Sequence, residues 1–392
     1  MSKLLLSIDD CVFKHNGIYY VKSVDVADLL SRYGRVFEQV RVVARIVDSD
    51  ELSDNAILID DKCLEVYEVP LFKGIKQYVS SFPIIKKRLR NVTDGCDACV
   101  LRMPSNLGHL VWKRVVAAKI PYAVEVVYDS YGGYHYQTGL YRILGMVIHK
   151  NLQRTCFGAD GVACVTERYL QKYYYTKKST GFTSHYSSIF LDKSFYSAPR
   201  NWVAKDVYTI AHIAQPIVVT NGRKGHVEVI KALALLKQEG YNVRVRFAGH
   251  GNPEELLRLR NLAERLGVAD RVEFVGLLPK QELRKLLLES DLYVMPTRAE
   301  GLPRAIIEAM AVGLPCISTR VSGNPELLQS QYLLDYDDVR GLADTIKTFI
   351  TDAQAYEEAS NYNFANSLKY ERSILQKRRD EFYSNLKRLT II

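Results

Sequence analysis

Short runs of β-branched and aromatic residues alternate with helix-length amphipathic stretches through the second half of this chain. That alternation limits the fold more than any other feature of its 392 residues. Strands are expected at Val207–Ile213, Val243–Ala248, Val272–Val275, Leu292–Met295 and Cys316–Ser318. Helices are expected at His226–Lys237, Pro253–Leu266, Lys280–Leu288, Arg304–Val312 and Val339–Ile350. Antiparallel strands can be joined by two residues, whereas parallel strands need a crossover long enough to hold a helix. A strand–helix repeat of this period therefore predicts a doubly wound parallel sheet. The first half carries the same pattern less regularly. Strands are expected at Leu4–Ile8, Gln39–Ile46, Ala98–Leu101, Tyr122–Val127 and Gly161–Val165, with helices at Val24–Tyr33 and Ser105–Ala118. The segment Ser194–Ala204 has no periodicity and marks the expected boundary. At roughly 100–200 residues per domain, the length fits two α/β domains. Their ligand is expected in a cleft between them, beyond the carboxyl ends of the strands.

Apolar residues make up 47% of the chain, enough for two cores, and no apolar run approaches the length of a membrane span. Near the start, Asp9 and Asp10 follow only the four apolar residues Leu4, Leu5, Leu6 and Ile8, which reads as a buried strand and not a signal peptide. A cytoplasmic protein is expected. The seven cysteines are an odd number without secretory context, and Cys96-Asp97-Ala98-Cys99 lacks the second ligand pair a zinc site needs. The cysteines are read as structural.

The chemistry is concentrated in Tyr293-Val294-Met295-Pro296-Thr297-Arg298-Ala299-Glu300-Gly301-Leu302-Pro303-Arg304-Ala305-Ile306-Ile307-Glu308. A strand ends at Pro296, and Glu300 stands on the loop that follows. Gly301 permits close backbone approach. Leu302, Pro303 and Arg304 enter a helix whose first N–H groups can bind phosphate. Glu308 lies about one turn into that helix, where a carboxylate can accept hydrogen bonds from the paired hydroxyls of a ribose.

This string resembles the E-x7-E signature of retaining glycosyltransferases of family 4, the glycosyl transferases group 1, which have the GT-B fold. Phe247-Ala248-Gly249-His250-Gly251, Arg271 through Pro279, and Ser322-Gly323-Asn324-Pro325-Glu326-Leu327 extend the resemblance over roughly residues 200–330. It implies two Rossmann-like domains facing a cleft: an acceptor-side domain at 1–200 and a nucleotide-sugar domain at 201–370. The terminal helix at 371–392 would pack back on the first domain. It implies that Glu308 holds the donor ribose and that Glu300 sits beside the donor sugar and its leaving phosphate. Backbone groups at Gly301, Leu302 and Arg304 would contact sugar and phosphate. Lys224, within Gly222-Arg223-Lys224-Gly225-His226, matches the lysine that neutralises the diphosphate. A fixed cation and helix-end dipoles can stabilise that developing charge without a metal. No cofactor or metal is therefore expected, and the donor is a UDP- or GDP-type nucleotide sugar as co-substrate. Asp335 and Asp337 are read as a surface turn.

The chain departs from the family pattern at two places. The arginine that relatives carry a few residues before the lysine is missing, because this segment reads Ala211-His212-Ile213-Ala214-Gln215; Arg223 is the candidate replacement. The His-Asp pair that follows the strand at Tyr122–Val127 in relatives reads Tyr128-Asp129 here. A tyrosine cannot titrate near pH 7 as a histidine does. Asp129 remains a candidate to accept a hydrogen bond from sugar or acceptor, within a loop rich in tyrosine and glycine. Gly17, after the first strand, matches a glycine loop that approaches the donor phosphates in relatives.

The formal charge of +9 is uneven: residues 1–200 hold 27 Lys and Arg against 20 Asp and Glu (27 − 20 = +7), and 201–392 hold 26 against 24 (26 − 24 = +2). From Val69 through Thr93, and again from Ser130 through Ala159, there is no acidic residue. Basic and apolar residues interleave in both segments. That pattern suits a helix lying on an anionic membrane. No nucleic-acid motif accompanies the charge, so nucleic acid is not an expected partner. The expected function is transfer of a sugar to a hydroxyl of a glycan or lipid-linked acceptor in surface polysaccharide or glycoconjugate synthesis. The enzyme would be cytoplasmic or peripheral on the inner membrane face. A non-catalytic GT-B partner subunit that binds a glycan or nucleotide is the alternative.

Overall fold

A computed structural model of the chain describes residues 2–390 except 23, 52–55, 60–61, 73, 136–138 and 218–223. It contains two compact units. The first comprises residues 1–130, 143–186 and 375–392; the second comprises 131–142 and 187–374.

The first unit is built on strands β1 (Lys3–His15), β2 (Ile18–Val21), β3 (Gln39–Asp48), β4 (Ile57–Leu58), β5 (Leu64–Pro70), β6 (Ala98–Met103), β7 (Tyr122–Val126), β8 (Gly161–Cys164) and β9 (Phe182–His185). Seven of them form a parallel sheet in the order β5-β3-β1-β6-β7-β8-β9. The first strand is longer than its apolar core Leu4–Ile8 suggests. It runs on past the exposed Asp9 and Asp10 through a register shift between Ser7 and Cys11. Such a bulge inserts residues without ending the ladder. Beyond it the chain turns back antiparallel as β2, which in turn pairs with β4. Cys96 and Cys99 are buried and free, and burial pushes the Cys99 thiol well above its ordinary pKa.

All five residues of β7 are buried, Glu125 among them. Its carboxylate is fully committed. Tyr33 Oη and Arg102 Nη1 donate to Oε2 at 2.9 and 2.8 Å, and Tyr186 Oη and Tyr383 Oη donate to Oε1 at 2.9 and 2.6 Å. Burial raises the carboxyl pKa. The Arg102 charge and the three hydroxyls more than offset this and hold it below the ordinary value. Tyr383 comes from the terminal helix Arg372–Arg388, which buries Leu375, Arg379, Phe382, Tyr383 and Leu386 on one face. Spacings of three and four residues place these side chains along one stripe. Phe382 packs on Phe182 at 5.1 Å between ring centroids, and Tyr383 on Tyr33 at 4.8 Å.

The second unit holds β10 (Tyr208–Ile213), β11 (Val243–Ala248), β12 (Val272–Gly276), β13 (Leu292–Met295), β14 (Cys316–Thr319) and β15 (Leu333–Leu334). All are parallel, in the order β12-β11-β10-β13-β14-β15. The two-residue β15 has no periodicity to announce it. Val229, Ile230 and Leu233 of helix His226–Gln238 pack on Ile210, Phe247 and Val294 to form the core. Strand order reverses between β10 and β13, and the crevice beyond the carboxyl ends at such a reversal is where open α/β sheets bind ligands.

Candidate active site

The loops that leave β10 and β13 flank this reversal, and they carry Lys224 and Glu300. Lys224 Nζ lies 2.5 Å from Glu300 Oε1, although 76 residues separate the two. Close packing of the loops makes the pair possible. Gly225 caps helix His226–Gln238 at φ +78°, and a Cβ there would stand 2.1 Å from the Pro296 carbonyl oxygen. Glycine alone satisfies both the left-handed backbone and the contact.

Glu300 is buried and held from within its own loop. Thr297 Oγ1 donates to Glu300 Oε1 at 3.1 Å. The Thr297 carbonyl accepts from Thr319 Oγ1 at 2.5 Å, and the Gly301 carbonyl accepts from Gly323 N at 3.0 Å. Asn324, fully buried, braces the neighbouring turn by donating from Nδ2 to Ser318 Oγ at 2.9 Å and the Thr319 carbonyl at 3.0 Å. The loop is thus tied, on the two sides of Glu300, to the end of β14 and to the turn that follows it.

Helix Arg304–Ala311 follows, with Gly301, Leu302 and Pro303 buried at its entrance and Arg304 exposed. Pro303 occupies the N-cap and supplies no side-chain hydrogen bond. No N-cap side chain therefore satisfies the first N–H groups of the helix. Glu308 is half-buried, one turn in. The fully buried Tyr293 feels both carboxylates. Burial, then Cys316, Glu308 and Glu300, push its phenol well above the usual value, and its hydroxyl donates to the Ile213 carbonyl at 3.1 Å.

Two buried histidines underlie Lys224. His212 donates from Nδ1 to the Val294 carbonyl at 2.7 Å, and its ring lies 4.5 Å from that of His226. Burial, and then the neighbouring charge of Lys224, lower the His226 pKa to about 3; His212 is also lowered, by burial and then by His226. Both rings are neutral at physiological pH, so they add no cation beside Lys224.

Of the other expected residues, Asp129 and Gly17 belong to the first unit. Asp129, in the first unit, is buried and accepts from Tyr169 Oη at 3.1 Å on Oδ2. Gly17 forms, with Asn16, the tight turn between β1 and β2, at φ values of +79° and +50°. Two successive positive φ values are what a two-residue hairpin turn requires. Arg223 falls outside the described residues. Thr297, Thr319, Ser318 and Tyr293 were not singled out in the sequence. Thr297 stands inside the motif string, three residues before Glu300, and that spacing was its only signal.

Known proteins resemble the chain in sequence and in fold. The family described as glycosyl transferases group 1 matches residues 218–365. Protein CapJ of Staphylococcus aureus is 27% identical over 99% of this chain and 96% of its own length. The putative colanic acid biosynthesis glycosyltransferase WcaL of Escherichia coli K12 is 38% identical over 32% of this chain and 33% of its own. Among solved structures, HepE of Anabaena in complex with UDP and glucose superimposes with a TM-score of 0.66 at 16% identity, over 96% of this chain and 98% of that one.

Proposed function

We propose that this chain, a glycosyltransferase with the GT-B fold whose residues 218–365 match the family described as glycosyl transferases group 1, moves a sugar, with retention, from a UDP- or GDP-sugar to a hydroxyl of a glycan or lipid-linked acceptor. The observation that carries this reading is the Lys224–Glu300 pair between the loops of β10 and β13, next to the uncapped helix that bears Glu308. The bond from the anomeric carbon to the diphosphate oxygen breaks, and the acceptor oxygen takes its place on the same face. The acceptor proton ends on the diphosphate. Charge grows on the diphosphate as it leaves, and Lys224 with the N–H groups at the start of helix Arg304–Ala311 stabilises it. Glu308 binds the ribose hydroxyls, while Glu300 orients Lys224 and faces the donor sugar. Retention is what the resemblance of the Glu300–Glu308 spacing to family 4 implies. Polysaccharide synthesis is supported by the likeness to WcaL, a putative colanic acid biosynthesis glycosyltransferase. HepE, with UDP and glucose bound, supports a nucleotide sugar donor.

A thermal-shift screen against UDP-glucose, UDP-galactose, UDP-N-acetylglucosamine and GDP-mannose tests the reading. One donor is expected to raise the Tm of the parent and not that of Glu308→Ala. No shift with any of these donors or with UDP and GDP alone would count against a nucleotide-sugar site.

We further propose that the protein works at the cytoplasmic face of an anionic membrane. No helix among the described residues is long and apolar enough to cross one. Helix Gly139–Phe157 exposes Tyr141, Ile143, Met146 and Val147 beside Arg142, Lys150 and Arg154, and helix Gly74–Arg88 exposes Val79, Phe82 and Ile84 beside Lys86 and Lys87. Apolar side chains can enter the headgroup boundary while the basic ones meet anionic lipid. Flotation with vesicles containing phosphatidylglycerol is expected to recover the protein, and neutral phosphatidylcholine vesicles are not. Equal recovery from both would remove the electrostatic argument.

A further inference from the structure

The loop that carries Glu300 has a third attachment, made to a residue outside the donor motif. Arg298, two residues before Glu300, lays its guanidinium over the ring of Tyr336, with Cζ 4.0 Å from the ring centroid. Arg298 is half-buried and, among the described residues, pairs with no carboxylate. Tyr336 stands in the turn after β15. Its neighbours Asp335 and Asp337 are exposed, but Tyr336 itself turns inward. Its hydroxyl hydrogen-bonds Glu228, in the first turn of helix His226–Gln238. Glu228 is buried and lies four residues after Lys224. Burial and the Glu228 carboxylate together raise the Tyr336 phenol above its ordinary pKa.

One aromatic side chain therefore touches both limbs of the catalytic pair. Through Arg298 it holds the segment that ends in Glu300, and through Glu228 it holds the helix whose entrance carries Lys224. The Thr297–Thr319 and Gly301–Gly323 hydrogen bonds fix the loop against β14, but neither reaches the Lys224 side. A planar guanidinium stacked on a ring resists sliding more than a lysine would, because its delocalised charge acts across the whole face.

We propose that Tyr336 is a positioning residue for the Lys224–Glu300 pair, acting through Arg298 and Glu228. It touches no reacting atom. The proposal rests on the donor site set out under the proposed function. Displacements of the order of 1 Å among groups that stabilise a leaving group cost up to ~100-fold in rate, so loss of one of three attachments is expected to cost about 10-fold.

The test uses the full chain and the variants Tyr336→Ala, Tyr336→Phe and Arg298→Lys. Release of UDP or GDP from the donors named above is measured at steady state, and amide hydrogen exchange is followed without ligand. For Tyr336→Ala, kcat is expected to fall about 10-fold with donor KM within about 2-fold. Exchange is expected to rise at Thr297–Gly301 and Lys224–Gly225 and not in β11 or β12. Tyr336→Phe, which keeps the ring under Arg298 but loses the hydroxyl that bonds Glu228, is expected to fall between the parent and Tyr336→Ala, and so is Arg298→Lys. Unchanged exchange at both loops would overturn the proposal. So would a rise spread over the whole second unit with a matching loss of Tm, which marks a merely structural residue. If the parent releases no nucleotide from any donor, the donor reading fails, and the exchange measurement still decides for or against the clasp.

Discussion

Replacing Lys224 with alanine is expected to slow nucleoside diphosphate release by about 100-fold or more, the usual loss when a group aimed at developing charge is removed. Two effects act in the same direction. The leaving diphosphate loses the side-chain cation that stands between the β10 and β13 loops. Glu300, only 11% exposed in its side chain, loses the charge that balances it. Thr297 Oγ1 remains as its described partner, and one hydroxyl does not neutralise a carboxylate. An uncompensated anion would then face an anionic ligand. The neutral His212 and His226 cannot substitute, since both titrate far below physiological pH. Steady-state kinetics with the donor found by thermal shift provide the check, alongside circular dichroism to establish folding. The loss should appear mainly in kcat, because the charge grows as the bond breaks. Glu300→Gln should be less damaging to UDP or GDP binding than Lys224→Ala, because it frees the cation. A Lys224→Ala enzyme within about 3-fold of the parent would show that the leaving-group charge is handled elsewhere.

The second large effect concerns stability and not catalysis. Glu125→Ala is expected to destabilise the first unit by about 3–5 kcal/mol, the usual cost of removing one partner from a buried ion pair. The substitution strands Arg102 in the interior and takes the acceptor from Tyr33, Tyr186 and Tyr383 at once. The Tyr383 bond joins residues 258 apart, so the terminal helix should loosen with it. Urea unfolding monitored by hydrogen exchange in β7 and in helix Arg372–Arg388 would resolve the first unit from the second. Glu125→Gln tests the charge separately, since an amide oxygen still accepts hydroxyl hydrogen bonds but does not balance Arg102. The folded carboxyl pKa lies below its ordinary value of about 4.3. Its contribution is therefore fully present above that value and is lost as pH falls through the lower folded value. Acid should destabilise the parent in that window more steeply than Glu125→Gln. A loss under about 1 kcal/mol for Glu125→Ala would mean that water or a repacked neighbour replaces the carboxylate.

Much of the second unit was legible because its information is local. Strands Val243–Ala248 and Leu292–Met295 begin and end where the β-branched runs do, and helix Pro253–Arg265 starts on Asn252, whose side chain accepts from two of the first backbone N–H groups. Glu300 and Glu308 were legible for the same reason, since a loop and one helical turn set their separation. The first unit hid more. Leu64–Pro70 and Phe182–His185 are strands whose residues are mostly half-buried, so no clean apolar run marks them. The hairpin at Asn16–Gly17 is hidden because the exposed Asp9 and Asp10 interrupt the apolar run, although they are residues of a bulge that leaves the ladder running.

By itself, then, the sequence determined the succession of strands and helices, the two-sheet α/β class and the carboxylate spacing of the donor motif. Each of these follows from hydrophobic period and turn chemistry within about twenty residues. Only the tertiary structure decided which charges meet. Strand order β12-β11-β10-β13-β14-β15 puts β10 beside β13, and that adjacency brings Lys224 to Glu300 across 76 residues. The same holds for Glu125 with Tyr383, and for Tyr336 between Arg298 and Glu228. Electrostatic partners are chosen by distance in space, and sequence periodicity fixes distance only along one element.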